Sequence, residues 1–320
     1  MKKVSCNLCG SNNYVLIDSH KNDKYFPPDV EVKTVVCKNC SLVYRNPQPT
    51  KRELFDFYSH SYRKDLPTKK YITSSNIINK ERLEWFNSHV KLRCGKILDV
   101  GCSTGNFLNL CKSKGWETYG IEPTIEYAKF GREKYKLNIQ SRFLEDARFQ
   151  KSFFDVITLF QVLEHSRNPT KVLLQLKNWL KPNGLIYITV PNILKPDKIE
   201  LAKYFAGPHL FFFSPNTLSL LFKKTGFEIV ALEEIKYYVR IIGKKRGKIG
   251  KINFDKEGDD YKKIMRNLKW RYTYLIPKLL YLKVVKLIKK LIILFFGEAM
   301  GDKIINFLKQ SLFRKIKTGK

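Results

Sequence analysis

ILDVGCSTGNFL, residues 97–108, decides how this chain is read. Ile97, Leu98 and Val100 make a run apolar enough for a strand covered on both faces, broken only by Asp99 near its end. Gly101-Cys102-Ser103-Thr104-Gly105 then turns straight into a helical pattern of Phe107, Leu108, Leu110 and Cys111. A strand, a glycine-rich turn and a helix form a ligand floor in open α/β sheets, where ligands lie beyond the carboxyl ends of the strands. The dinucleotide signature G-x-G-x-x-G sets a helix N-terminus against a pyrophosphate. Here an aspartate precedes the turn, and its charge repels phosphate but suits a cationic amino group or ordered water. The ligand expected is a nucleoside without phosphates.

From Gly95 to about residue 242, strand-like runs (KILDV, WETYGIE, LNIQSRF, FFDVITLF, GLIYITV) alternate with helical ones. This alternation is the signature of stacked βαβ units. FEIVALEEI and YYVRII follow each other closely, which predicts an antiparallel hairpin at the sheet edge. The helix SPNTLSLLFKKTGF is expected to be capped by Ser214, with Pro215 in its first turn and Gly226 as its stop. WETYGIEP places Glu122 at the end of the second strand, where a carboxylate can accept both hydroxyls of a ribose.

ILDVGCSTGNFL, YGIEPTIEYAK, FDVITLFQVLEHSRNP, LKPNGLIYITVPN and HLFFFSPNTLSLLFKKTGFEIV, in that order, resemble the successive motifs of class I S-adenosylmethionine-dependent methyltransferases. Within that superfamily they are similar to the branch found with sugar and cell-surface polysaccharide biosynthesis. The resemblance covers about residues 94–235. It implies a Rossmann-like, mostly parallel α/β sheet of seven strands and S-adenosylmethionine as cofactor. It further implies that Asp99, Gly101 and Gly105 line the methionine and ribose side of the cofactor and that Glu122 holds the ribose. Adenine would lie near Leu144 to Ala147, with Asp146 chosen for its exocyclic amine, and Phe160 and Gln161 would reach the methyl-sulfonium. Ser103 departs from the glycine common at the centre of the first motif, a change that a small hydroxyl residue tolerates.

Methyl transfer from a sulfonium is an in-line displacement, so the protein must align the acceptor, exclude water and take a proton where the acceptor is a hydroxyl or an enolisable carbon. Histidine has a suitable intrinsic pKa, and the chain has five. His209, in AGPHLFFFSP, is the first choice for the residue nearest the acceptor, and His165, in LEHSRNP, is the alternative base or organiser. A bland use for Glu164-His165 is to cap the helix that starts near Pro169.

Residues 1–50 hold Cys6-x-x-Cys9 and Cys37-x-x-Cys40, two knuckles whose four thiolates fit tetrahedral zinc. The expected module is zinc-ribbon-like, a hairpin with a loose tip at HKNDKYFPPD. Four thiolates leave no open position, so the zinc would be structural. Seven cysteines, an odd number, fit ligands and reduced thiols better than a disulfide framework. Cys94, Cys102 and Cys111 read as packing residues. Residues 51–93 read as a helical linker or substrate cap, including the amphipathic ERLEWFNSHV, with Tyr58 and Tyr62 as candidates to cover the acceptor.

The formal net charge is +31, which calls for an anionic partner. From Lys236 onward about 24 basic residues stand against about 6 acidic ones. After a linker at 243–260, residues 261–320 form a basic amphipathic tail. In YLIPKLLYLKVVKLIKKLIILFF, residues 274–296, five lysines interrupt an aliphatic run, so it is expected to lie in an anionic interface rather than span a bilayer. The start, MKKVSCNLCG, lacks the apolar run of a secretory signal, so a cytoplasmic protein, peripheral at the membrane, is expected. The function expected is methylation of a sugar or glycan intermediate, free or lipid-linked. An RNA methyltransferase using the basic surface remains the alternative, although the basic residues lie among aliphatics in the tail. A non-catalytic, zinc-stabilised membrane adaptor is the third reading.

Overall fold

The computed structural model describes residues 1–21, 31–60, 69–196, 204–205, 207–247, 252, 260–270 and 294. The chain divides into two compact units, Met1–Met265 and Arg266–Lys320. The first contains both sheets and the cleft. The hairpin tip at 22–30, Tyr62, and the tail at 274–296 apart from Leu294 lie outside the described residues, as does the side chain of Tyr58. Among the described residues no helix is long and apolar enough to cross a membrane.

The chain opens with strands β1 (Tyr14–His20), β2 (Val32–Cys37) and β3 (Val43–Arg45), paired antiparallel in that order. Helices α1 (Lys51–His60) and α2 (Lys69–His89) follow. Next come β4 (Gly95–Val100), α3 (Asn106–Lys112), β5 (Trp116–Ile121), α4 (Ile125–Tyr135) and β6 (Asn138–Gln140). After them run β7 (Phe154–Phe160), α5 (Pro169–Trp179) and β8 (Leu180–Pro191). The remaining elements are β9 (Phe211–Phe212), α6 (Pro215–Thr225), β10 (Phe227–Ile235), β11 (Tyr238–Lys245) and α7 (Asp260–Trp270).

Seven strands form one sheet in the order β10-β11-β8-β7-β4-β5-β6. Only β11 runs against its neighbours, slotted between β8 and β10. The close succession FEIVALEEI and YYVRII thus yields the expected hairpin, and β11 runs through Lys245, into the segment read as linker. The strand order reverses between β4 and β7, which sets the turn after β4 at the crevice of the sheet. Leu98, Ile157 and Ile186, on three adjacent strands, have no exposed surface. Truncating any of them to alanine costs about 2–5 kcal/mol, so the sheet is a fixed platform for the loops at its end.

Local signals explain most element ends. Ser214 and Thr217 form a reciprocal capping box at α6, Pro215 is its first residue, and Gly226 ends it at φ +78°. The buried Asp260 carboxylate bonds the Ser214 hydroxyl from the start of α7. Two expectations change. Helix α5 is capped by Asn168, whose Oδ1 accepts from Lys171 N at 2.9 Å, while Glu164-His165 form a separate 3₁₀ turn, Leu163–His165. Between β6 and β7 the chain makes only a 3₁₀ turn, Leu144–Asp146. Cys102 and Cys111 are buried as expected, but Cys94 is exposed.

A second sheet, β1-β2-β3-β9, joins the cysteine module to the catalytic part. Val43 pairs with Phe212 and Tyr44 with Phe211. The fully buried Arg45 donates to the carbonyls of Phe205 and Gly207.

Candidate active site

A cleft of about 340 Å³ opens over the turn after β4. Its lining includes Asp99, Gly101, Ser103, Phe107, Glu122, Phe143, Leu144, Phe160, Gln161 and His165. This size is within the usual range for a small-molecule site.

The floor is made by backbone geometry that few side chains allow. Gly101 has φ +70°, and a Cβ there would meet Val162 Cγ2 at 2.5 Å. Gly105 sits at φ +77° as the N-cap of α3, and Ser103 adopts φ +52°. The amides of Gly101 and Cys102 both donate to Ile121 O, at 2.7 and 3.1 Å, which binds the turn to the end of β5. Glu122 completes the lock: Oε2 accepts from Ser103 N at 2.8 Å and Oε1 from Thr124 N at 2.9 Å. It is almost wholly buried, so these bonds help to keep a carboxylate in place beside the cleft.

Asp99 is buried and accepts from Thr158 Oγ1 at 2.7 Å. Loss of solvation pushes its carboxyl up to about 7, against the opposing pull of that hydrogen bond and of Arg82. A cationic or hydroxyl-bearing ligand would recover part of that desolvation cost.

Phe160, at the end of β7, meets Phe107 edge-on at 4.9 Å and Tyr187 at 5.0 Å. Arg82 of α2 lies over its ring at 4.2 Å and donates to Asn79 Oδ1 at 3.0 Å. Arg82, Asn79, Lys51 and Arg167 all line the cleft and were not singled out from sequence. For Arg82 a signal was present: it is the one arginine of the amphipathic segment ERLEWFNSHV, read there only for its apolar face.

The adenine and base assignments divide. Leu144 and Glu145 line the cleft, whereas Asp146 is not among its lining residues. Its exposed carboxylate pairs with Lys51 Nζ at 3.2 Å. Among the two histidines, His165 lines the cleft and His209 does not. They are nonetheless together, with ring centroids 4.8 Å apart. His165 Nδ1 lies 3.2 Å from Pro208 O, the geometry of an Nδ1–H donor that leaves the lone pair on Nε2. The adjacent Glu164 is fully buried, with no hydrogen-bond partner on either carboxyl oxygen among the described residues, and burial pushes it up to about 8. One donor atom from each of Glu164, His165 and His209 falls within 4.8 Å of the others.

At the N-terminus, Sγ of Cys6 lies 3.4 Å from that of Cys40, and Sγ of Cys9 lies 3.5 Å from that of Cys37. All four sulfurs fall within 4.8 Å of one another. A zinc–sulfur bond of about 2.3 Å gives a tetrahedron with edges of about 3.8 Å, so the donor set fits such an ion.

The methyltransferase domain family matches residues 65–232, more than half of the chain. The chain belongs to that family. It is an S-adenosylmethionine-dependent methyltransferase, and the floor described above suits that cofactor, with a glycine cradle and two buried carboxylates. The ubiquinone biosynthesis O-methyltransferase of an Azoarcus species is 28% identical over 178 residues, covering 50% of this chain and 76% of the relative. Proteins of the same name from Coxiella burnetii are 29% identical over 122 residues, and this methyltransferase spans about half of their length, 52%. The crystal structure of an S-adenosylmethionine-dependent methyltransferase from Mesorhizobium loti is 12% identical, with a TM-score of 0.43 over 47% of this chain and 90% of that one, a likeness of fold.

Proposed function

We propose that this enzyme methylates a sugar or glycan intermediate that carries an anionic group. The observation that carries the reading is the placing of His165 on the cleft, backed by His209 at 4.8 Å, in the company of Lys51 and Arg167. S-adenosylmethionine supplies an electrophilic methyl group. The chain's residues do the rest. Glu122 would hold the ribose, Asp99 the amino group or its ordered water, and Arg82 the amino-acid carboxylate. Glu145, rather than the exposed Asp146, would face the adenine. As the acceptor oxygen bonds to the methyl carbon and the carbon–sulfur bond breaks, the acceptor proton passes to His165 Nε2, with His209 beside it. Lys51 and Arg167 favour a phosphate or carboxylate on the acceptor over a neutral one.

O-methylation is favoured by the names of the relatives, which makes a phenolic acceptor the second reading. Zinc in the four-cysteine centre is part of the proposal, and so is attachment of the basic tail to an acidic membrane face. RNA is the third class of acceptor, supported by the net charge of +31 alone.

Incubation with methyl-labelled S-adenosylmethionine and, separately, nucleotide-sugars, lipid-linked oligosaccharide, a dihydroxybenzoate and ribosomal RNA tests the reading. Label is expected in a glycan fraction, and label only in RNA or only in the phenol overturns it. With the acceptor in hand, His165→Ala and His209→Ala should each lower turnover by ~10²–10⁴ while S-adenosylhomocysteine still binds. Unchanged turnover removes the residue concerned from the chemistry. Sedimentation with acidic but not neutral liposomes, lost on deletion of residues 266–320, is what membrane attachment requires.

A further inference from the structure

The cysteine knuckles hold the two histidine-bearing segments by separate grips. Asn7 and Leu8 are the residues between Cys6 and Cys9. Asn7 Nδ2 donates to Asn168 Oδ1 at 2.9 Å, and Asn7 Oδ1 accepts from Thr170 N at 3.0 Å and Thr170 Oγ1 at 2.8 Å. Lys224 Nζ donates to the carbonyls of Asn7 and Leu8, both at 2.8 Å. The first knuckle therefore grips the start of α5, whose cap Asn168 lies three residues after His165.

The second knuckle, Cys37 to Cys40, leads directly into β3. Arg45 N donates to Leu210 O at 2.9 Å, and Tyr44 stacks on Phe211 with ring centroids 6.3 Å apart. With the Arg45 guanidinium on the carbonyls of Phe205 and Gly207, this grip brackets His209 on both sides. Leu210 N closes the circuit by donating to Glu164 O at 2.8 Å. None of these hydrogen bonds touches the turn from Asp99 to Gly105.

We propose that the four-cysteine centre is the positioning element of the histidine pair: by fixing the two knuckles to each other it fixes the His165 segment against the His209 segment, and it leaves the cofactor floor to stand alone. Four crowded thiols hold two chain reversals together weakly, whereas a divalent ion bonded to all four makes them one rigid body. The two grips differ in the chain they hold, so the ion sets the distance between the imidazoles without touching either. Asn7 and Arg45 are the positioning residues through which it acts. The inference rests on the proposed role of His165, with His209 beside it, in taking the acceptor proton.

The test is hydrogen exchange on the full chain, with its metal content measured, before and after chelation and after return of Zn²⁺ alone. S-adenosylhomocysteine binding is followed by calorimetry on the same samples. Removing the ion, or Cys40→Ser, should raise amide exchange at 163–170 and 207–213 by at least ~10-fold, with exchange at 97–108 and the Kd for S-adenosylhomocysteine within about threefold of the starting values. Zn²⁺ should restore protection after chelation. Unchanged exchange in both segments overturns the proposal, as does a protein that takes up no metal. Loss of cofactor-product binding together with the protection also overturns it, because the centre would then support the whole unit. Should Cys40→Ser precipitate, Asn7→Ala and Arg45→Met keep the sulfurs and separate the grips: the first should loosen 163–170 and the second 207–213. A native chain that never binds S-adenosylhomocysteine fails the proposed function instead, a result distinct from all of these.

Discussion

The floor of the cleft and the histidine-bearing segments next to it are built in different ways. The cleft floor is mostly local: the turn from Gly101 to Gly105 and Glu122 lie at the ends of two adjacent parallel strands, and the hydrogen bonds that tie the turn to Ile121 and Glu122 join residues no more than about 20 positions apart, with Asp99–Thr158 the longer exception. The histidine-bearing segments at 163–170 and 207–213, of which His165 lines the cleft and His209 does not, are held from afar. Asn7 bonds to Thr170, Arg45 to Gly207 and Lys224 to Leu8, pairs separated by 163, 162 and 216 residues. The floor follows from a strand, a glycine turn and a carboxylate, whereas the histidine-bearing segments depend on contacts with the N-terminal module. Damage to one side should therefore leave the other standing.

The largest break in the comparison is expected at Gly101. Alanine there combines φ +70° with a contact at 2.5 Å to Val162 Cγ2, so Gly101→Ala should weaken S-adenosylhomocysteine binding by ~100-fold or more in calorimetry. Adding Val162→Ala should recover part of the loss by removing the overlap, but not the backbone strain. Full recovery in the double variant would show the conformation to be cheap.

The next effect separates the sides by pH. The Asp99 carboxyl ionises at about 7, so binding of a cationic ligand group should weaken as pH falls through that value. Between pH 8 and pH 6 the Kd for S-adenosylhomocysteine should rise about tenfold, and Asp99→Asn should flatten the profile. A slope that persists in Asp99→Asn places the titrating group elsewhere.

Glu164 gives the corresponding effect beside His165. Its carboxyl is pushed up from 4.5 to about 8 by burial, so the folded chain keeps it neutral where the unfolded chain ionises it. Below pH 4.5 the two states are alike, and stability is lost progressively as pH rises to about 8. Glu164→Gln removes that loss, so its melting temperature relative to the native chain should climb by about 5 °C between pH 5 and pH 8. A constant difference across that range would mean that the carboxyl is ionised in the fold.

The smallest effect belongs to Asp146. Its exposed pair with Lys51 is worth little in water, and Asp146→Ala should change the Kd for S-adenosylhomocysteine by less than about twofold. Glu145→Ala should have the larger effect, and the reverse order would return the adenine contact to Asp146.

What could be read beforehand divides along the same line. The alternation of strands and helices, apart from the 3₁₀ turn between β6 and β7, the Ser214 cap and the Gly226 stop are set by residues near one another, and the structure has them, along with buried Asp99 in β4 and buried Glu122 just after β5. The choice between Glu145 and Asp146 turns on one residue in a 3₁₀ turn, where neighbours point about 120° apart, and no pattern in FLEDARF fixes that phase. Strand β9 is two phenylalanines long, too short for any periodicity, and its partner lies in another module. Arg82 reaches the cleft from a helix whose sequence shows only which face is apolar.

Asp260 carries a practical lesson for anyone shortening this chain. Its carboxylate, bonded to the Ser214 hydroxyl at the first turn of α6, belongs to the last residue of the segment read as a linker, so trimming within that linker would remove an acceptor from a buried helix end and leave the Ser214 hydroxyl only its Thr217 partners. A tailless version should stop no earlier than Met265, or a folding defect will be mistaken for loss of membrane attachment.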